Sequence, residues 1–121
     1  MNPDHSEVQR IEDRMQDCTR ELHKLAPLVG AAKQVREFAS DRKKNSLSHF
    51  MLPHLKAGES AVAAETYARA DQRFQDRLEE LGTQLSDAES TIARWDATNA
   101  SFEAARSLLS MQKETLKTFK E

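Results

Sequence analysis

The fold is decided by residues 74–116, which read FQDRLEELGTQLSDAESTIARWDATNASFEAARSLLSMQKETL. Side chains repeat there in alternating steps of four and three, the spacing of a coiled-coil seam. The seam predicted from this spacing is Phe74, Leu78, Leu81, Leu85, Ala88, Ile92, Trp95, Asn99, Phe102, Arg106, Leu109, Lys113 and Leu116. The pattern predicts one long helix over residues 72–119, with Asp71 as its N-cap.

A second heptad pattern occupies the start of the chain, at Val8, Ile11, Met15, Cys18, Leu22 and Leu25. It predicts a helical first arm over residues 3–52. We expect a kink or short break at Pro27, because proline lacks an N–H donor and disfavours a helical residue before it. The side chains expected to pack on a partner helix or a second copy are Val8, Ile11, Met15, Leu22, Leu25, Leu85, Ile92, Trp95 and Phe102.

Residues 53–71 form the predicted connection between the two arms. Pro53 interrupts the first arm, and Gly58 is the predicted C-cap or turn glycine. Ser60 is placed to cap a short helix over residues 61–70.

The chain of 121 residues has only three Gly and three Pro, which favours few, long helices over a sheet. We therefore predict an all-α fold in a single domain over residues 1–121. Its arms would form a long helical hairpin with coiled-coil-like heptad packing. Burial must come from pairing within the chain or between copies, so we expect a homo-oligomer.

The formal net charge of -2 gives no overall attraction to nucleic acid or to a membrane. The N-terminus lacks the basic and apolar regions of a signal peptide, and no apolar run is long enough to suggest a membrane span. The single Cys suits a reducing compartment. These features predict a cytoplasmic protein, in the host cytoplasm if a phage encodes it, with no membrane partner.

No pattern of catalytic or cofactor-binding residues is apparent. The sequence has no phosphate-binding glycine loop, no nucleophile elbow and no pair of His residues at metal-binding spacing. Cys18 occupies a seam position, where a small apolar side chain belongs, so Cys18 with His23 is an improbable ligand pair. We expect neither an enzyme nor a bound metal or cofactor.

One stretch of the first arm is basic. Six cations against Glu37 and Asp41 give residues 33–56 a local charge of +4 (6 − 2), and aromatic or imidazole rings lie among them. Cations neutralise phosphates and rings offer stacking surfaces, the combination that binds single-stranded nucleic acid. The predicted nucleic-acid-binding residues are Lys33, Arg36, Arg42, Lys43, Lys44, His49, Phe50, His54 and Lys56.

Two questions stay open at this level. The basic stretch lies opposite residues 71–89 in the predicted hairpin, so its charges are alternatively paired with the acids Asp71, Asp76, Glu79, Glu80, Asp87 and Glu89. The polar seam positions Asn99, Arg106 and Lys113 have two interpretations. Either apolar contacts with a partner helix become fewer toward the end of the seam, or these residues face a polar groove or set the register of an oligomer.

Residues 35–115 resemble the UvsY-type phage recombination mediators, which are small helical proteins. The resemblance lies in the order of the basic Asp41-Arg42-Lys43-Lys44, an apolar and aromatic segment ending at Gly58, and the helix segment Ala63-Ala64-Glu65-Thr66-Tyr67-Ala68. Ala70-Asp71-Gln72-Arg73-Phe74 and Glu103-Ala104-Ala105-Arg106-Ser107 follow in the long helix.

The resemblance implies a ring-like or similar closed oligomer that binds single-stranded DNA and helps load a recombinase onto strands covered by single-strand-binding protein. It also implies DNA contacts from Lys43, Lys44 and Lys56, just before the glycine. Ser48-His49-Phe50 stand where the family has a basic pair, and His49 would supply a hydrogen bond or partial charge there.

The heptads also permit a different class of function. A helical adaptor, or an export or secretion chaperone, would capture an amphipathic helix of a client on the same apolar seam. Stabilisation of a purified monomer by a specific protein client would favour this alternative.

Overall fold

The computed structural model describes the backbone of residues 5–120 and the side chains of residues 5–118. Over this range the chain forms three helices and no strand: α1 (His5–Lys56), α2 (Ala61–Ala70) and α3 (Gln72–Lys120). The predicted all-α class is confirmed. Helix α2 has the bounds predicted for the short helix, and α3 begins at the predicted residue.

Helix α1 continues through Pro27, so of the kink or short break predicted there, the break is wrong. An interior proline removes one backbone hydrogen bond and costs about 3 kcal/mol in an isolated helix. Leu25 and Val29, on either side of it, are both buried, and Pro27 itself is exposed. Helical backbone on both sides keeps these two apolar side chains in the core, and their burial offsets the lost hydrogen bond.

The first arm also extends four residues beyond its predicted end, and a Schellman motif terminates it at Gly58. The Glu59 N–H donates to the His54 carbonyl at 3.2 Å, and the Gly58 N–H donates to the Leu55 carbonyl at 3.1 Å. Gly58 has φ of +90°, a conformation that favours glycine. The helix therefore ends where left-handed backbone becomes accessible, and Pro53 lies within its last turns.

Polar caps begin the next two helices, as the sequence predicts. The Ser60 hydroxyl accepts a hydrogen bond from the Ala63 N–H at 3.2 Å, at the start of α2. The Asp71 carboxylate accepts one from the Arg73 N–H at 2.9 Å, at the start of α3. Each oxygen satisfies a backbone donor that has no partner inside its helix.

The described chain divides into two compact units, and both long helices contribute to each. Within the described range, the first unit combines residues 5–30 with residues 91–120. Arg14 donates to the Ser101 hydroxyl, and Arg94 pairs with Glu21. Glu21 lies seven residues after Arg14 in α1, whereas its partner Arg94 lies seven residues before Ser101 in α3. The two segments therefore run antiparallel. Their buried side chains are Cys18, Leu25, Val29, Ile92 and Ala105.

The second unit, residues 31–90, contains the end of α1, all of α2 and the start of α3. Ala64 and Ala68 of α2 are completely buried, which indicates close packing of this short helix through small side chains. The other buried apolar residues of the unit are Ala32, Phe74, Leu81 and Ala88.

The predicted seam residues of α3 from Phe74 to Phe102 are all buried or half-buried, whereas burial shifts to neighbouring positions further along the helix. Arg106 and Lys113 are exposed, whereas Ala105 is completely buried and Gln112 is half-buried. In a helix, the residues three and four positions after a given side chain both lie next to it. Phe102 and Leu109 can therefore share a packed face either with Ala105 and Gln112 or with Arg106 and Lys113. The row with Ala105 is buried because burying an unpaired guanidinium or ammonium group would cost far more.

Asn99 is the third polar seam position, and it is half-buried. Its Nδ2 donates to the Trp95 carbonyl at 3.1 Å, which satisfies the amide within its own helix. The nine side chains predicted for a partner seam, from Val8 to Phe102, are all buried or half-buried in the single chain.

Candidate nucleic-acid interface

Helix α1 carries a row of solvent-exposed cations through the second unit. Among the described residues, no carboxylate lies within ion-pair distance of these six side chains, which are Lys33, Arg36, Arg42, Lys43, Lys44 and Lys56. Their charges face water and are available to an anionic ligand.

Three of the acids opposite this stretch make contacts with residues at the start of α3 instead. Asp71 pairs with Arg73 at 2.8 Å, and Glu80 pairs with Arg77 at 3.0 Å. Asp76 accepts a hydrogen bond from Gln72 at 2.8 Å. None of these three acids forms the ion pair with a lysine or arginine of α1 that the sequence left open.

The nine predicted site residues do not share one face of α1. Residues seven apart lie on nearly the same side of a helix, which groups Arg42, His49 and Lys56. Arg36, Lys43 and Phe50 are related in the same way and lie on another side, where the Phe50 ring packs against Phe74 between the two flanks. The predicted site is therefore divided between two flanks of α1.

The first flank borders a cleft of about 600 Å³, here called the aromatic cleft. The His49 and Phe50 rings meet edge to face with centroids 5.4 Å apart, and Phe50 packs on buried Phe74 at 5.8 Å. The Arg73 guanidinium lies over the Phe50 ring, 5.5 Å from its centroid. The lining residues are Arg42, Asn45, Ser46, His49, Phe50, Arg73, Asp76, Arg77 and Glu80.

The charge of the aromatic cleft is nearly balanced. Three guanidinium groups oppose two carboxylates in its lining, a net of +1 (3 − 2). Beside it, hydrogen bonds from the Arg73 side chain and backbone hold the pKa of Asp71 below its ordinary value of 3.8. The same side-chain hydrogen bond raises the pKa of Arg73. Both groups therefore stay ionised at neutral pH.

The other flank borders a smaller cleft of about 350 Å³, here called the lysine cleft. Lys43 and Lys44 line it from α1 and Arg69 from α2, while Leu47, Phe74 and Leu78 supply apolar surface. Arg69 is paired with Glu65 at 2.9 Å. The two lysines are thus the cations of this cleft that have no acidic partner among the described residues.

A third cleft, of about 500 Å³, shares His49, Phe50 and Arg73 with the aromatic cleft and adds Lys56 and His54. The His54 ring stacks on Tyr67 of α2 at 5.1 Å, and its Nδ1 lies 3.0 Å from a Glu59 carboxylate oxygen. His54 therefore makes contacts that hold the connection together. Lys33 and Arg36 line none of these three clefts.

Sequence reasoning missed the residues that α2 and α3 contribute. Arg73 and Arg77 are not among the predicted site residues, yet both line the aromatic cleft. The antiparallel arrangement of 42–50 with the start of α3 was the signal that could have placed them there. Asn45 and Ser46 were likewise overlooked as polar groups beside His49.

Other kinds of site were sought over the same residues. Among the described residues, no three His, Cys, Asp or Glu side chains cluster as a metal ion would need. Cys18 is buried and unbridged, and His23 is exposed. No helix in the described range is long and apolar enough to span a membrane.

No protein-family model, curated protein or solved structure matches this chain.

Proposed function

We propose that this protein binds single-stranded DNA along α1 of the second unit. It acts as an oligomeric recombination accessory protein that assists the loading of a recombinase onto strands covered by single-strand-binding protein. The observation that carries the proposal is the exposed row of α1 cations without acidic partners among the described residues.

Electrostatics supports a polyanionic ligand for this row. Each phosphate neutralised by Lys or Arg releases a bound counterion, which favours association at low salt. The negative charges of α3 lie beside its own arginines, so a strand on α1 would not need to displace an existing ion pair. Rings beside the cations add stacking surface, which is the second requirement of single-strand binding.

The recombination role itself comes from the resemblance to UvsY-type mediators. In those proteins the DNA contacts precede a glycine, and here Lys43, Lys44 and Lys56 precede Gly58. Lys43 and Lys44 line the lysine cleft, and Lys56 lies on the opposite flank. A strand that contacts all three would therefore cross the exposed side of α1.

Fluorescence anisotropy with a labelled oligothymidine tests DNA binding. If each chain neutralises three or four phosphates, the slope of log affinity against log salt should be about -2 to -3, at about 0.7 per phosphate on single strands. Absence of binding at low salt would overturn the proposal.

Charge reversal locates the contact. Lys43→Glu with Lys44→Glu should weaken binding at least ten-fold at low salt, because two phosphate contacts become repulsive. The matched control is Lys113→Glu with Lys117→Glu, which makes the same change in net charge on exposed positions of α3 in the first unit. Equal losses in both double variants would indicate a general charge effect and would exclude a site on α1.

The oligomeric part of the proposal has its own test. Light scattering coupled to size exclusion should give a mass that is a multiple of 13.7 kDa, with and without oligonucleotide. A monomer under both conditions would remove the closed oligomer from the proposal but leave DNA binding intact.

A helical adaptor or export chaperone is the second candidate, and exposed apolar side chains favour it. Leu52, Leu55, Val62 and Tyr67 are all exposed on the end of α1 and on α2. The predicted seam is already buried or half-buried by the chain's own helices, so these residues would have to receive the client. A rise in the melting temperature with a specific protein client, and none with oligothymidine, would favour this candidate.

A further inference from the structure

We propose that the aromatic cleft holds one unstacked base of the bound strand, against the His49 ring and the exposed face of the Arg73 guanidinium. The inference rests on the proposed function and extends it, because it assigns bases and phosphates to different flanks of α1. The aromatic cleft takes a nucleobase, and the lysine cleft takes the neighbouring backbone.

Planar groups supply the recognition surface. The Arg73 guanidinium lies over Phe50, while 78% of its side chain remains accessible to solvent, so the stack has an open outer side. His49 is exposed and meets Phe50 edge to face. Guanidinium planes and His rings both stack with unpaired bases, and the cleft volume of about 600 Å³ suits a small planar ligand.

The charge balance favours a base over a phosphate. Arg73 holds Asp71 with Nε at 3.2 Å and Nη2 at 2.8 Å, and Arg77 holds Glu80 at 3.0 Å. These guanidinium groups are neutralised, but their planes remain available for stacking. Lys43 and Lys44 have no acidic partner among the described residues, so the stronger attraction for phosphates lies on the other flank.

Polar groups at the rim match the edge of a base. Asn45 offers an amide with both donors and acceptors, Ser46 offers a hydroxyl, and Asp76 offers a carboxylate. These groups can exchange hydrogen bonds with the donors and acceptors of an unpaired base. A bare phosphate would instead meet the carboxylate of Asp76, which makes no ion pair among the described residues and repels it.

The test uses an oligothymidine in which 2-aminopurine replaces every third base, since this base fluoresces less when it stacks. Saturating wild-type protein should lower its emission about two-fold. His49→Ala removes an exposed ring, and Arg73→Lys keeps the charge beside Asp71 but removes the plane. Both variants should lose the quench even at protein concentrations where anisotropy shows that the oligonucleotide is saturated. The control is Arg106→Lys, the same chemical change at an exposed arginine of α3 that is also paired with an acid, and it should quench as wild type does.

The outcomes separate the two proposals. Binding without a quench in the wild-type protein overturns the base site and leaves DNA binding in place. A quench that persists in both His49→Ala and Arg73→Lys also overturns it, provided that circular dichroism shows unchanged helix content. Absence of any anisotropy change overturns the proposed function and the base site together.

Discussion

Asp71 accepts hydrogen bonds from both the backbone N–H and the guanidinium group of Arg73, so a single carboxylate caps α3 and fixes a side chain of the aromatic cleft. The cap keeps the first turn of α3 in place, and the ion pair aims the guanidinium over Phe50. Local helix stability and the geometry of the candidate site thus depend on the same acid.

The Asp71 contact predicts a pH-dependent stability. Its pKa is lowered in the folded state, so ionised Asp71 stabilises the fold above its ordinary pKa of 3.8, and this stabilisation is lost as pH falls through the lowered value. Asp71→Asn keeps a capping oxygen but has no charge. We expect this variant to melt below wild type at pH 7 and the difference to shrink below pH 3.8, measured by circular dichroism. Glu79→Gln, an exposed change on the same helix, should show no such difference. A difference between Asp71→Asn and wild type that persists at the lowest pH would contradict the assignment.

Substitution of Gly58 should destabilise the fold through its backbone conformation and not through a steric clash. A Cβ built there meets no atom within 4 Å, but the residue has φ of +90°. Gly58→Ala should therefore lower the free energy of unfolding by about 1 kcal/mol through backbone strain alone. Gly82→Ala is the control, because Gly82 lies inside α3 and its Cβ is also unobstructed. It should raise the free energy of unfolding by about 0.5–1 kcal/mol in urea titrations. Equal effects of the same sign would contradict the role of the Schellman turn.

The packing of α2 predicts a low tolerance for larger side chains. Ala68 is completely buried, so Ala68→Leu should lower the free energy of unfolding by about 1–3 kcal/mol because neighbouring groups must move apart. Ala61→Leu makes the same change at an exposed position of α2 and should have little effect. Urea titration followed by circular dichroism compares them. Tolerance of Ala68→Leu would show that α2 is not closely packed.

The burial pattern near the end of α3 predicts that an apolar side chain is favoured at residue 112 and not at residue 113. The Gln112 Oε1 atom is buried without a hydrogen-bond partner among the described residues. Gln112→Leu should therefore raise the free energy of unfolding by about 1 kcal/mol, because it removes an unsatisfied polar group from the interior. Lys113→Leu, at the position favoured by the heptad pattern, should give no gain because Lys113 is exposed. A larger gain from Lys113→Leu would restore the original seam.

Local signals predicted the helices well. Ser60 and Asp71 are cap residues, and Gly58 is the residue type that left-handed backbone requires, so the start of α2, the start of α3 and the turn before them follow from short stretches of sequence. Pro27 and the second half of the α3 seam could not be predicted in this way. In both places the outcome depends on which side chains a partner helix buries, which is tertiary information.

The candidate site was predicted only as a set of residue types. The row of cations and the rings among them were visible in the sequence, but their division between two flanks of α1 depends on where α2 and α3 lie. Arg73 and Arg77 show the difficulty most clearly. Their charges count as basic in the sequence, whereas in the structure each is neutralised by an acid and offers a flat surface instead.

Asp71 and Glu80 pair with Arg73 and Arg77, and the six basic residues of α1 in the second unit make no described ion pair that holds the helices together. Substituting one of them changes the attraction for a polyanion without breaking a described ion pair. The attraction for a polyanion and the stability of the fold can therefore change separately. Natural variants could therefore change the surface charge of α1 one lysine at a time without losing the scaffold.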